Sequence, residues 1–331
     1  IGIEWPLQDV ALSAKDQENP RLAEQRVENL PVYEGYAMRI IIIGTQGQVG
    51  WELAQRAPLF GHETLAWDMA ELDITDAAAV DRALTTSGAD TVINAAAYTA
   101  VDRAEQEPAL AFAVNREGPA HLAATCARLN IPLLHISTDY VYDGRKSDPY
   151  VETDQTAPLG VYGRSKAEGD AAVRRLLPRH LILRVSWVFG IHGHNFVKTM
   201  LRLARAREEL RVVADQYGCP TFAGDIADTL LELASRTAEM DANNAWGTYH
   251  YCGVPATTWH GFARTIIEKA RVYEPFTVQT VTAITTTDYP TPAARPANSM
   301  LDCSRLALHF GIQPRPWVDG LKSLLVTTYA G

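Results

Sequence analysis

From Met38 onward the chain alternates short apolar runs with longer amphipathic segments. "MRIIIIG" is a continuous apolar run ending in Gly44, and it predicts a strand buried on both faces. "GQVGWELAQRAPLFG" follows at helical spacing and closes on Gly61. "HETLAWD" reads as a second strand, "DAAAVDRALTTSG" as a second helix and "ADTVINAAA" as a third strand. Residues 100–130 are helical in pattern, with breaks expected near Pro108 and Pro119. "IPLLHIST" is a fourth strand, "YGRSKAEGDAAVRRLL" a helix and "HLILRVSWVFG" a fifth strand. This alternation predicts an α/β fold, a doubly wound parallel sheet with helices on both faces.

After Gly190 the alternation loosens. "NFVKTMLRLARAREEL", "IADTLLELASRTAE" and "TWHGFARTIIEKAR" are amphipathic helices, separated by loops such as "DQYGCPTFAGD" and "TDYPTPAARPANS". This half reads as a smaller, mostly helical unit whose loops can close over a ligand at the carboxyl ends of the strands. Ahead of Met38, residues 1–37 hold prolines, charges and few periodic apolar positions. They read as a leader or linker with one short helical piece between Asn19 and Val27.

Composition narrows the function. Of 331 residues 47% are hydrophobic and 21% charged, as in a globular domain, and the formal net charge is -9. An acidic chain without a Lys/Arg run has no electrostatic footprint for nucleic acid. A phosphorylated ligand would have to be held by local groups. Cys126, Cys219, Cys252 and Cys303 are far apart, which argues against a zinc site or a disulfide framework and for free thiols in a reducing compartment. No apolar run approaches the roughly 20 residues of a membrane span, and no charged-then-apolar targeting segment is present. Neither membrane nor metal enters the expectation, and cytoplasm is the default.

"IIIIGTQGQVGWELA" places glycines at 44, 47 and 50 between a strand and a helix. Gly44 permits the tight turn, Gly47 lets backbone approach a pyrophosphate, and Gly50 lets helix and strand pack closely. The helix start at Gln48 and Val49 supplies free N–H groups. The spacing predicts a Rossmann-like site for a dinucleotide. Asp68 ends the second strand and suits a ribose hydroxyl, while Arg39 or Arg56 can approach a 2′-phosphate. Asp73, with Ile74 beside it, is a second candidate near the adenine, and Asp76 is the better helix cap. The cofactor is NADPH or NADH, with the choice open. The expected division is then an NAD(P)-binding domain over 38–190, joined again by segments near 221–250, and a mainly substrate-binding domain over 191–331.

"VYGRSKAE" holds Tyr162 and Lys166 four residues apart on one helix face. A phenol titrates near 10, and a neighbouring ammonium lowers that value, giving a general acid suited to carbonyl reduction. Lys166 can also donate to the cofactor's ribose. Ser137 and Thr138 close the preceding strand at its carboxyl end, where a hydroxyl can bond the substrate oxygen. Spacing alone fits an accidental surface pair equally; the order of glycine turn, strand-end hydroxyl and Tyr-x-x-x-Lys makes the set specific.

The segments "GTQGQVG", "NAAAYTAVDRAE", "AFAVNREG", "HISTDYVYDG", "YGRSKAEGD", "LRVSWVFG", "NFVKTM", "VVADQYGCPT" and "ARPANSMLDCSRL" cover nearly all of residues 38–320. Through them the chain resembles the extended short-chain dehydrogenases/reductases, and within these the dTDP-4-dehydrorhamnose reductase family. The resemblance implies hydride transfer from NAD(P)H to C4 of a dTDP-linked 4-keto-6-deoxy sugar. It implies Tyr162 as proton donor, Lys166 as its partner and ribose ligand, and Thr138 as the group that orients the carbonyl. It further implies Ala95, Ala96 and Ala97 along the cofactor, and Tyr98, Thr99, Val101, Asp139 and Tyr140 near sugar or nicotinamide. Trp187 resembles a residue that packs on the sugar, with a core tryptophan the alternative. Asn115 matches a position near the active-site helix, with a satisfied buried amide equally open. Asn195, Gln216 and Arg295 fall in the closing loops, and the Arg295 guanidinium suits a diphosphate. Some family members bind magnesium at a dimer contact; nothing in this sequence predicts it. The expected partners are a nucleotide sugar and, as open states, a second copy in a homodimer and a fused or associated 3,5-epimerase.

That last expectation rests on "WPLQDVALSAKDQENPRLAE", which resembles the tail of dTDP-4-dehydrorhamnose 3,5-epimerases. Two rival functions share the motif set. One is a dinucleotide-binding regulatory subunit like the beta subunit of methionine adenosyltransferase. The other is a sugar-nucleotide epimerase or dehydratase of the same superfamily, which would hold NAD tightly and recycle it.

Overall fold

The computed structural model describes residues 37–330. The expected helical piece at 19–27 and the epimerase-like segment lie outside the described residues. The first half comprises β1 (Arg39–Ile43), α1 (Gln48–Arg56), β2 (Glu63–Trp67), α2 (Ala77–Ser87), β3 (Thr91–Asn94), α3 (Val101–Ala104), α4 (Pro108–Phe112), α5 (Gly118–Leu129), β4 (Leu133–Thr138), α6 (Val161–Leu176) and β5 (His180–Val185). The second comprises β6 (Val188–Phe189), α7 (Phe196–Ala206), β7 (Glu209–Val213), β8 (Tyr217–Gly218), β9 (Thr221–Phe222), α8 (Ala223–Ser235), α9 (Thr237–Asn243), β10 (Gly247–Tyr251), β11 (Thr257–Thr258), α10 (Trp259–Ala270), β12 (Thr280–Ile284), α11 (Ser304–Phe310) and α12 (Trp317–Ala330).

The main sheet has six parallel strands in the order β10-β5-β4-β3-β1-β2. Successive side chains of a strand point to opposite faces, so the isoleucine run of β1 serves two cores at once. Ile40 and Ile42 pack with Leu53 of α1 and Ile226 and Leu230 of α8. Ile41 and Ile43 pack with Val80 and Leu84 of α2, Leu122 of α5 and Val173 of α6. A third core lies beyond the sheet's carboxyl edge, where α7, α10 and α12 meet through Val197, Leu201, Phe262, Ile266 and Leu321. The topology switches direction between β1 and β3, and the crevice there opens onto the strand ends that hold the candidate residues.

Local chemistry sets the element ends. Asp76 caps α2, its carboxylate accepting from the N–H groups of Ala78 and Ala79 at 2.9 and 3.0 Å. Gly61 ends the first helical segment in the left-handed conformation, φ 76°.

Three expectations need correction. Pro119 does not break the helical segment: it occupies the first turn of α5, where its missing N–H costs nothing, after a π-helical turn at 113–117. Residues Glu209–Val213 are strand, not the end of a helix. Leu210 and Val212 alternate inward and the strand pairs in parallel with β12. The fifth strand is divided. Trp187 takes φ 45°, rare for a bulky residue, and turns the chain so that β6 pairs with β9 instead of continuing in the main sheet. The periodic pattern also did not reveal that β10 completes the large sheet, or the helices α11 and α12. All four cysteines are free and buried.

Candidate active site

The glycine turn is held between two strand ends. The Gly44 N–H donates to Trp67 O at 2.8 Å, and the Ala95 N–H donates to Ile43 O at 2.9 Å. Gly44 has φ 87°, and a Cβ there would lie 2.6 Å from Ala96 N. At Gly50 a Cβ would lie 2.0 Å from Gly44 O. Any side chain at either position would force the turn away from α1 or from the Ala95–Ala97 backbone. Gly47 precedes α1 with no side-chain cap, which leaves the helix's first N–H groups and partial positive charge facing the crevice. Ala95, Ala96 and Ala97 are half-buried along its wall. This cradle fits a dinucleotide pyrophosphate.

Asp68 does lie beside the turn, but its carboxylate accepts from the Gln46 N–H at 2.7 Å and from the Met69 N–H at 2.7 Å. Asp73 is engaged by Thr75. Ile74 is buried against Gly118. Neither arginine offered for a 2′-phosphate faces the turn. Arg39 opens β1 at the opposite end of the sheet and pairs with Glu63. Arg56 ends α1 and pairs with Glu52 and Asp228.

Tyr162 and Lys166 lie on the buried face of α6, against β4. The Lys166 Nζ donates to Ile136 O at 2.7 Å and lies 3.3 Å from His135 Nε2. Burial lowers the lysine to about 8 from 10.5, with Asp170 opposing the shift. The lowered phenol expected at Tyr162 is not found. Burial pushes it upward, partly offset by Thr138, with no contribution from the Lys166 ammonium, which is directed at β4. The Thr138 hydroxyl donates to Asp139 Oδ1 at 2.9 Å and accepts from the Tyr140 N–H at 3.2 Å. Asp139 is buried, its Oδ2 has no partner among the described residues, and burial pushes it up to about 6. The Ser137 hydroxyl is likewise buried without a partner among the described residues.

Tyr98, Val101, Tyr140 and Tyr162 belong to one small apolar cluster, with the Tyr140 and Tyr162 rings edge to face at 5.6 Å. Asn115 resolves as a satisfied amide. It accepts from the Tyr98 N–H at 2.8 Å and donates to Tyr98 O at 2.9 Å and Ser165 Oγ at 3.0 Å, tying the cluster to α6. Thr99 is exposed beside it.

Next to this cluster lies a cleft of about 430 Å³ whose lining includes Tyr140, Gln216, Arg295, Phe196 and Trp259. Arg295 pairs with Asp102 at 2.8 Å, and Gln216 donates to Thr286 at 3.0 Å. Trp187 does not face the cleft. Trp259 covers it in a parallel stack, centroids 3.6 Å apart and 8° between planes. Asn195 also turns away. It caps α7 through the Lys198 N–H, and its amide donates to Gly190 O at 2.8 Å and Gln48 Oε1 at 3.0 Å. Sequence pattern does not single out Trp259 and Phe196, which read as amphipathic helix faces, or His192, which stacks on Trp51 and bonds Gln46 O at 3.1 Å above the glycine turn.

Residues 38–330 match the family model described as the RmlD substrate binding domain. A dTDP-4-dehydrorhamnose reductase of Aggregatibacter actinomycetemcomitans is 48% identical over 290 residues, covering 86% of this chain and 98% of the relative. The chain belongs to the dTDP-4-dehydrorhamnose reductase family. The reductase of Escherichia coli strain K12 is 39% identical over 87% of this chain and 97% of its own length. Among solved structures, the Bacillus anthracis family member in complex with NADP aligns with a TM-score of 0.81 and 34% identity, covering 88% of this chain and 99% of that one. The glycine turn follows β1 beside the sheet's switch point, and the Trp259 cleft shares Tyr140 with the cluster that holds Tyr162. Among the described residues no helix is long and apolar enough to cross a membrane.

Proposed function

We propose that this chain reduces the C4 keto group of dTDP-4-dehydro-L-rhamnose to give dTDP-L-rhamnose, with NADPH or NADH as the hydride source. One observation carries the reading: Tyr162 and Lys166 are both buried one turn apart on α6, beside the Thr138 strand end, with the Tyr162 ring packed edge to face on Tyr140 of the cleft lining. The activity for which its relatives are named supports it. When bound, the cofactor would supply a hydride, one proton with two electrons, to the carbonyl carbon.

The protein's own groups do the rest. Gly44, Gly47 and Gly50, with the N–H groups of Gln48 and Val49, hold the pyrophosphate; Asp68, Asp73 and Ile74 flank the adenosine side. Tyr162 gives its proton to the oxygen as the C–H bond forms. A phenol raised by burial stays protonated at neutral pH, which suits the reductive direction. Lys166, charged below about 8 and held by Ile136 O, keeps further ammonium hydrogens for the ribose once it is bound. Thr138, held by Asp139 and the Tyr140 N–H, sets the carbonyl's approach. The sugar rests on the Tyr98, Val101, Asp139 and Tyr140 side, with Gln216 and Trp259 in the cleft. Arg295, freed from Asp102, forks onto the diphosphate. Residues 38–190 together with α8 and β10 act as the cofactor half, and most of 191–331 as the substrate half.

The test is loss of NADH or NADPH absorbance with the sugar generated in place by the preceding dehydratase and epimerase. Oxidation that needs the sugar and collapses in Tyr162→Phe is expected. Cofactor binding without sugar-dependent oxidation would refute the reductase reading and leave a dinucleotide-binding regulatory role.

A further inference from the structure

Asn94, His135 and Lys166 form a buried line of side chains running from β3 through β4 to α6. Asn94 Oδ1 accepts from the Ala96 N–H at 3.1 Å, which fixes the amide with Nδ2 toward His135 Nδ1, also at 3.1 Å. An amide NH₂ can only donate, so His135 Nδ1 accepts, and the neutral ring carries its proton on Nε2. His135 is fully buried, and burial together with the Lys166 charge holds it well below the usual histidine range. It is therefore neutral in the working pH range. Its Nε2–H points at Lys166 Nζ, 3.3 Å away. An ammonium meets that N–H donor to donor, whereas a neutral amine offers it a lone pair. The bond from Nζ to Ile136 O is available to both forms.

We infer that His135 is a positioning residue that stabilises the neutral amine of Lys166, so that Lys166 can return a proton to Tyr162 after Tyr162 has protonated the substrate. The inference rests on the reductase reading above. In proton balance, the Tyr162 O–H breaks as the product O–H forms. A Lys166 N–H then breaks as the Tyr162 O–H is restored, the proton crossing an intervening hydroxyl or water. The resulting amine accepts from His135 Nε2–H, which stays bonded to its nitrogen, and solvent recharges Lys166. The other groups facing this line are Asp170, one turn along α6 and tied to Arg184 of β5, His180 of β5, and Asp139 beyond Thr138. Of these, Asp170 favours the ammonium and His180 adds to the lowering at His135.

Two variants and one spectrum test it. H135N keeps an oxygen for the Asn94 amide and removes the donor facing Lys166. N94D keeps the ring but demands Nδ1–H, turning Nε2 into an acceptor. Both are expected to move the alkaline limb of the kcat profile up by about one pH unit. Both should lower kcat about tenfold, with KM for sugar and cofactor within about twofold. A bridge serving only to hold β3 to β4 would leave the H135N profile at wild type, and that result would overturn the inference. Nitrogen-15 histidine NMR of the intact wild-type chain, with the His135 signals identified by their loss in H135N, should show Nδ1 bare and Nε2 protonated. A protonated Nδ1 or an imidazolium would overturn the inference whether or not the chain turns over. Absence of wild-type turnover would count against the reductase reading alone.

Discussion

Asp170→Asn separates a buried charge from its partner with almost no change in shape. Arg184 is 2% exposed and Asp170 fully buried, and the Arg184 Nε lies 3.1 Å from Asp170 Oδ2. The guanidinium's other contact is Tyr142 Oη at 2.7 Å, which is neutral. The variant therefore leaves a full positive charge in the core without its paired carboxylate, and the new amide NH₂ takes the place of Asp170 Oδ1, which has no partner among the described residues. Breaking a buried pair from one side costs about 3–5 kcal/mol. At about 2.1 cal/mol/K of unfolding entropy per residue, a domain of this size loses roughly 5–8 °C in Tm. Urea unfolding followed by tryptophan fluorescence at constant pH gives the number, and the midpoint should fall with the slope unchanged. The double variant Asp170→Leu, Arg184→Met removes both charges and should recover most of the loss. A single-variant cost under about 1 kcal/mol, or a double variant no better than the single, would refute the reasoning that an unpaired charge is what destabilises.

Two further outcomes follow from the site. Lys166 is held at about 8 in the folded chain against 10.5 for the free side chain. Between those values the unfolded chain binds more protons, so this group's penalty is full below pH 8 and relaxes as pH rises toward 10.5. Relative to Lys166→Met, the wild type should gain on the order of 3 kcal/mol across that window in urea titrations, and an equal pH dependence of the two proteins would contradict it. Gly50→Ala places a Cβ 2.0 Å from Gly44 O, a backbone atom that cannot yield without opening the turn. NADPH affinity by fluorescence titration should weaken about tenfold or more, and unchanged affinity would detach the turn from the pyrophosphate.

How much of this was legible depends on the range of the interaction. The isoleucines of β1 report burial on both faces through a run of four, and Asp76 reports a cap through its immediate neighbours. Tyr162 and Lys166 share a face because a helix repeats within four residues. Spacing along the chain does not say where an ammonium points once it is buried. Lys166 turned to Ile136 O and His135, thirty and thirty-one positions back, and the phenol was raised where lowering was expected. The same limit explains Trp187 and Trp259. Each reads as a lone aromatic on its own element, and only the fold decides which of the stacked pair meets the cleft. Arg39 and Arg56 lie near the glycine turn in sequence but at the far ends of a strand and a helix in space.

The position of β10 has a consequence for the chain as it is made. Its five residues pair with β5, yet Gly247 leaves the ribosome long after Val185, with β6 through α9 translated in between. During that interval β5, buried along its whole length in the finished protein, offers an unpaired hydrogen-bonding edge and the apolar side chains of Leu181, Ile182 and Leu183. A nascent chain stalled in this window is the form most exposed to strand-to-strand aggregation. Slow codons or a ribosome-bound chaperone would act on yield there, without touching a single residue of the crevice.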